Sequence, residues 1–289
     1  MAALAEAVAG EAHVVHRRGF SRRWYRTPTF VAGVILIGVI ILMAIFAPLI
    51  TKFDPNHQDL LHPLEGPSGA HLLGTDDLGR DTWSRILYSA RTDLRIALLA
   101  VLFPFFIGTT LGLFTGFFVG WLDTGVNWLV SVVVAFPFFV LIIALSFVLG
   151  PGTRNIYIAI TLVGWVSYTR IIRAEVLSAK RRDWMLAARA GGLSTPRILF
   201  RHLLPNVITQ AVVFAFSDIV LDMVAIVTLG YFGLGVQRPT VDWGQMIADG
   251  QTFLTTRWEL ATIPGIAVVI TALGLALIAD GLADLLRPE

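Results

Sequence analysis

Apolar residues run through this chain in long blocks, not in the short periodic patches of a soluble fold. Six blocks reach or approach the roughly 20 helical residues that cross a hydrocarbon core of about 30 Å. They cover residues 29–50, 96–119, 126–149, 156–172, 207–229 and 263–286. Between the first two, residues 75–93 are polar yet patterned: Trp83, Ile86, Leu87 and Ala90 share one helical side, and Asp81 and Arg85 stand at salt-bridge spacing. This predicts an interfacial helix. Between the fourth and fifth blocks, residues 182–206 read as two short helices. Asp183 caps the first, over 184–190, and the Gly191-Gly192 pair stops it. Ser194 or Thr195 caps the second, Pro196 sits in its first turn, and Pro205 forbids continuation beyond Leu204.

Composition sharpens the fold class. With 56% hydrophobic and 15% charged residues, the chain has too little polar surface to cover six apolar helices in water. The prediction is an all-α membrane protein with six transmembrane helices, surrounded by lipid. Arginine placement orients it. Arg17, Arg18, Arg22, Arg23 and Arg26 precede the first span, while Arg170, Arg173, Lys180, Arg181, Arg182, Arg189, Arg197 and Arg201 surround the fourth-to-fifth loop. Both regions therefore face the cytoplasm, with both termini. Residues 1–27 read as a basic cytoplasmic tail with no cleavable signal, 28–93 as the first span and an extracytoplasmic amphipathic segment, and 94–289 as the transmembrane core.

The polar and small residues inside the blocks narrow the chemistry. Gly108, Gly112, Gly116 and Gly120 recur every four residues in the second span, a smooth ridge on which another helix can lie close. Pro104 and Pro137 are expected to kink the second and third spans. Asp218 and Asp222 stand one turn apart inside the fifth, where each would cost about 2.5–3.5 kcal/mol facing lipid. They must face protein or water, either lining a transport route or pairing within the protein. Catalytic patterns are absent: the two lysines, Lys52 and Lys180, follow Thr51 and Ala179, so there is no Gly-Lys-Ser/Thr phosphate loop. The histidines show no HExxH spacing, there is no Gly-x-Ser-x-Gly elbow, and zero cysteines exclude disulfides and thiolate metal sites. No metal site, enzyme activity or nucleic-acid partner is expected.

On the first short helix, Trp184, Ala187, Ala188 and Gly191 fall on one side at three- and four-residue spacing, and Arg181, Arg182 and Arg189 ring it. Ala187, Ala188, Gly192, Leu204 and Pro205 resemble the Glu-Ala-Ala, three residues, Gly, Leu-Pro signature of ATP-binding-cassette importer permeases, with Leu186 replacing the glutamate. The runs LGTDDLGRD at 73–81, LGVQRPTVDWG at 234–244 and IADGLADLLRP at 278–288 are similar to dipeptide and oligopeptide permeases of the C-subunit type. The resemblance implies a type I importer permease fold in which the loop is a coupling helix docked into a separate ATPase. It implies that Asp183, Trp184, Leu186, Ala187, Ala188, Arg189, Gly191, Gly192 and Pro205 form this contact. It further implies a B-type permease partner, two ATPase domains holding ATP and magnesium, no cofactor in this chain, and an extracytoplasmic binding protein. The rival reading is an ATP-independent channel or carrier using Asp218 and Asp222 as an ion site.

Overall fold

The computed structural model describes residues 27–286. The basic tail, with Arg17, Arg18, Arg22, Arg23 and Arg26, and the last residues of the 278–288 motif lie outside the described residues. Within them, the regular elements are helices. In chain order these are α1 (Pro28–Ile45), α2 (Ala47–Ile50), α3 (Thr82–Ala100), α4 (Leu102–Phe117), α5 (Trp121–Val134), α6 (Phe138–Leu149) and α7 (Thr153–Ala179). Then follow α8 (Asp183–Ala190), α9 (Thr195–Arg197), a π-helical segment (Ile198–Leu203), α10 (Leu204–Tyr231), α11 (Trp243–Gln251) and α12 (Glu259–Leu286). Among the described residues, five helical rods are long and apolar enough to cross a membrane, or six with one bent pair counted as a span.

That bent pair revises the third expected span. Residues 126–149 are not one kinked rod, because α5 and α6 meet at 89°. Pro137 has no N–H to continue α5, and its own extended ψ of 133° takes the chain out of the helix before it stands as the N-terminal residue flanking α6. The second span is longer than expected, because the segment read as a separate interfacial helix is α3, and α3 with α4 makes a 36-residue rod, Thr82–Phe117. Its Ile86, Leu87 and Ala90 face inward, walled by α1 and α12 together with Trp83. Burial inside the chain, not the membrane surface, is what that apolar side serves.

Glycine decides which helices lie closest. A Cβ added at Gly112 would stand 2.6 Å from the Thr169 carbonyl oxygen, and one at Gly116 would stand 2.7 Å from Val176 Cβ. Gly108 meets Trp165 and Tyr168 in the same way, so three of the four glycines of the ridge carry α4 along α7. Gly120 does not: it lies beyond α4, at the start of α5, with nothing near it. A second seam of the same kind joins α1 to α12, where Gly33 faces Gly274 and Ile278, and Gly281 faces Phe30.

On the predicted extracytoplasmic side, the two motif runs at 73–81 and 234–244 lie in adjoining segments that a polar network ties together. Asp81 does not pair with Arg85. It caps α3, accepting from the Ser84 N–H at 2.8 Å and its hydroxyl at 2.6 Å, and it also meets His71 Nδ1 at 2.9 Å. Capping wins because the first turn's N–H groups need an acceptor and a carboxylate there also complements the helix dipole. Arg85 turns instead to Asp76 at 3.4 Å, while Asp249 of α11 gathers Arg80 at 3.5 Å and Arg238 at 3.0 Å. Asp242 caps α11, and burial pushes its carboxyl up to about 6. Asp93 of α3 accepts the Trp243 N–H at 3.0 Å, which fixes the start of α11 onto the second span.

Candidate coupling site and transport route

The short helix α8 begins after a sharp turn at Arg181 and Arg182. Arg182, not Asp183, flanks its N-terminus, and it makes no side-chain cap. Asp183 is the first helical residue, an acid in the first turn where it complements the N-terminal dipole. Gly191 ends the helix as expected, and Gly192 takes φ +70°, the left-handed conformation that closes such a terminus and that a side chain would strain.

The structure divides the residues of α8 differently from the sequence reading. Trp184 and Ala188 do not share the outer side with Ala187 and Gly191. They pack inward beside Met185, which is 0% exposed. Met185 belongs to one apolar cluster with Leu113 of α4, Tyr168, Ile172 and Val176 of α7, Ile198 and Leu203 of the π-helical segment, and Val207 of α10. The outer side carries Asp183, Leu186, Ala187, Arg189, Ala190 and Gly191. Leu186, where the permease signature has glutamate, is 53% exposed. An exposed leucine flanked by alanines is an apolar patch that a partner would cover.

Cations brace the seat of this helix. Lys180 Nζ donates to the Phe117 carbonyl at 2.9 Å and the Gly116 carbonyl at 3.3 Å, closing the C-terminal end of α4. Burial, with the charge of Arg189, pushes the Lys180 ammonium below its ordinary value, and Asp123 opposes this. Lys180 and Arg189 both stand over the Phe117 ring, at 5.7 and 5.5 Å from its centre.

Pro205 does not end a helix. Ser194 flanks a short turn with Pro196 in its first positions, and the chain passes through the π-helical segment straight into α10. Pro205 sits in the first turn of α10, where its missing N–H costs nothing. The wider π turn before it leaves room for the proline ring, and six consecutive π residues are an unusually long run of that conformation. The loop and the fifth span are thus one continuous rod, Thr195–Tyr231.

Asp218 and Asp222 lie inside the chain, 4% and 1% exposed. The Tyr168 hydroxyl donates to Asp218 Oδ2 at 2.8 Å, and Asp222 Oδ2 is buried without a hydrogen-bond partner among the described residues. A different set of groups lines the open groove between α5, α7 and α10, about 550 Å³ in volume: Asn127, Ser167, Arg170, Arg173 and Phe214 are among them, and the two aspartates are not. Only the arginines of that set carried any sequence signal, as positive charges near the loop. No group of three or more potential metal ligands exists among the described residues.

Comparison with known proteins gives this arrangement a family. The model of binding-protein-dependent transport system inner membrane components matches residues 108–289, and that of the N-terminal transmembrane domain of oligopeptide transport permease C matches 17–67. A dipeptide transport system permease protein of Alkalihalophilus pseudofirmus is 37% identical over 90% of this chain and 85% of its own. A di/tripeptide transport system permease protein of Pseudomonas aeruginosa is 37% identical over 89% and 87%. A glutathione transport system permease protein of Pectobacterium atrosepticum is 35% identical over 94% and 91%. These relatives are transport permeases, not catalytic subunits, and the spans make this chain a multi-pass inner-membrane protein of the same kind. With one family model covering more than half its length, the chain belongs to the inner-membrane components of binding-protein-dependent transport systems, the permeases of ATP-binding-cassette importers.

Proposed function

We propose that this chain forms half of an ATP-driven import route for peptides, paired with a B-type permease, two cytoplasmic ATPase domains and an extracytoplasmic binding protein. ATP and magnesium belong to the ATPase partners, and this chain carries no cofactor. Both termini and α8 face the cytoplasm, in keeping with the arginine placement. The peptide assignment draws on relatives named for dipeptides, di/tripeptides and glutathione, itself a tripeptide.

One observation carries the mechanism. On the inner side of α8, Met185 is buried in the apolar cluster that also holds Leu113 of α4, Ile172 and Val176 of α7 and Val207 of α10, while the outer side offers Leu186, Ala187 and Ala190. A partner that seats on the outer side and moves must move three spans with it, since a close-packed cluster transmits displacement instead of absorbing it. The glycine seam makes α4 and α7 one body, and Pro205 leaves the rod into α10 unbroken. A free pore or carrier has no use for such a link.

Asp218 serves, in this reading, as an interior brace between α7 and α10 through Tyr168, with Asp222 buried one turn away, and the route passes elsewhere. Asp222→Asn keeps the shape of this buried side chain, so uptake kinetics are expected to stay within about twofold of wild type with normal membrane levels. A shifted KM for peptide would put the pair on the route.

The reading as a whole is tested by purifying the four-part assembly into proteoliposomes and following radiolabelled di- and tripeptides. Accumulation that requires binding protein, ATP and magnesium together supports it. Peptide entry without ATP would support the carrier.

A further inference from the structure

The groove between α5, α7 and α10 has an assignment beyond the peptide-importer reading, on which it rests. Along α7, Ser167, Arg170, Ala174 and Ser178 are all exposed and recur at three- and four-residue spacing, so they form one stripe. The eleven helical steps from Ser167 to Ser178 make that stripe about 16 Å long. Elsewhere large apolar residues make up much of the exposed span surface, as with Val34, Ile35 and Leu42 on α1, Phe147 and Val148 on α6, and Val269 and Leu273 on α12, with single polar residues such as Thr110, Gln210 and Ser217 between them. Those faces suit lipid; the α7 stripe with Asn127 suits water or a polar cargo.

Two arginines line the groove, and they are in opposite states. Arg173 is neutralised by Asp123, with Nε to Oδ1 at 2.6 Å and the second fork to Oδ2 at 2.8 Å. Arg170, one turn deeper, has no ion pair or hydrogen bond to any described residue, and its side chain is exposed to the groove. It lies nine residues, about 14 Å, before the end of α7. A guanidinium that lines a groove with no counter-charge beside it is open to an anion, and its planar fork matches a carboxylate with two parallel hydrogen bonds.

We infer that this groove is the cytoplasmic stretch of the transport route and that Arg170, flanked by Ser167, takes the terminal carboxylate of the passing peptide. The carboxylate is the one anion that every linear peptide carries whatever its side chains, so a single cation here serves a broad range of sequences. A groove of about 550 Å³ is of the size that holds small ligands. A lipid headgroup phosphate would satisfy the charge alone, but it leaves the rest of the stripe without a reason.

The test uses the complete assembly in vesicles of phosphatidylcholine, with and without one third phosphatidylglycerol, and dialanine and trialanine as cargo. R170Q is expected to lower uptake about tenfold or more, with R170K retaining at least a third of wild-type rate and co-purification of all subunits unchanged. The chain has no cysteine, so S167C introduces a single thiol into it. Peptide trapped during turnover is expected to slow maleimide labelling of that thiol in the Arg170 background and not in R170Q. Equal uptake by wild type and R170Q overturns the inference. So does loss of subunit co-purification in R170Q, which makes Arg170 an interface pair, or wild-type uptake that needs phosphatidylglycerol while R170Q does not respond to it. Wild-type assemblies that move neither peptide overturn the importer reading itself, and the inference with it.

Discussion

Ala187→Glu is expected to abolish uptake while leaving the permease folded in the membrane. Ala187 is exposed on the outer side of α8, between Leu186 and the inward-turned Ala188, so a longer side chain there has solvent to extend into. Glutamate is also a good helix former, and α8 keeps its conformation. A partner groove shaped to an alanine backbone approach loses that fit and must bury a charge. Loss of a central contact of this type costs about 2 kcal/mol or more, roughly 30-fold in affinity. Co-purification of the ATPases is expected to fall by that factor, and ATP-driven uptake with it. Retained ATPase binding would show that the outer side of α8 is not the docking face. Met185→Ala separates the two sides of the helix: it empties a core position and is expected to cost about 2–5 kcal/mol of stability instead.

Gly112→Val carries the second large effect, on the fold itself. The new Cβ would lie 2.6 Å from the Thr169 carbonyl oxygen and 2.9 Å from Ile172 Cβ, both on the backbone-close face of α7. Neither atom is the end of a flexible chain, so the helices must separate, and overpacking of this kind costs about 1–3 kcal/mol or more. Folded permease recovered from the membrane is expected to drop severalfold, with a lower unfolding midpoint for what remains. Gly125→Ala is the control, because nothing lies within 4 Å of that position. A Gly112→Val protein as stable as wild type would contradict the close α4 and α7 packing.

The apolar runs carried the spans plainly, since only a continuous block satisfies a membrane core, and four-residue glycine spacing carried one helix contact. What local pattern could not resolve was choice between near-equal partners. Arg85 had Asp81 at the right spacing, yet Asp76 in the preceding loop and Asp249 in α11 received it once Asp81 was taken up as a cap. Both Met185 and Leu186 are apolar, and the sequence of α8 does not say which one faces the body. Only the packing of the α4, α7 and α10 ends beneath it does so. Pro205 read as a stop because a π turn ahead of it leaves no local signature, and the Pro137 break read as a kink because both flanking runs are apolar. That Arg173 and not Arg170 is paired comes from Asp123 on a neighbouring helix, a contact between helices that local sequence does not show.

The central claim is that an ATPase covers the outer side of α8 and moves with it. Ala187→Cys tests it directly, because this chain contributes no other thiol. In the assembled importer, a hydrophilic maleimide is expected to label Cys at this position at least tenfold more slowly than in the permease without ATPases. Its rate is also expected to change between nucleotide-free and ATP-trapped states. Equal labelling with and without the ATPases, in every nucleotide state, would contradict the account.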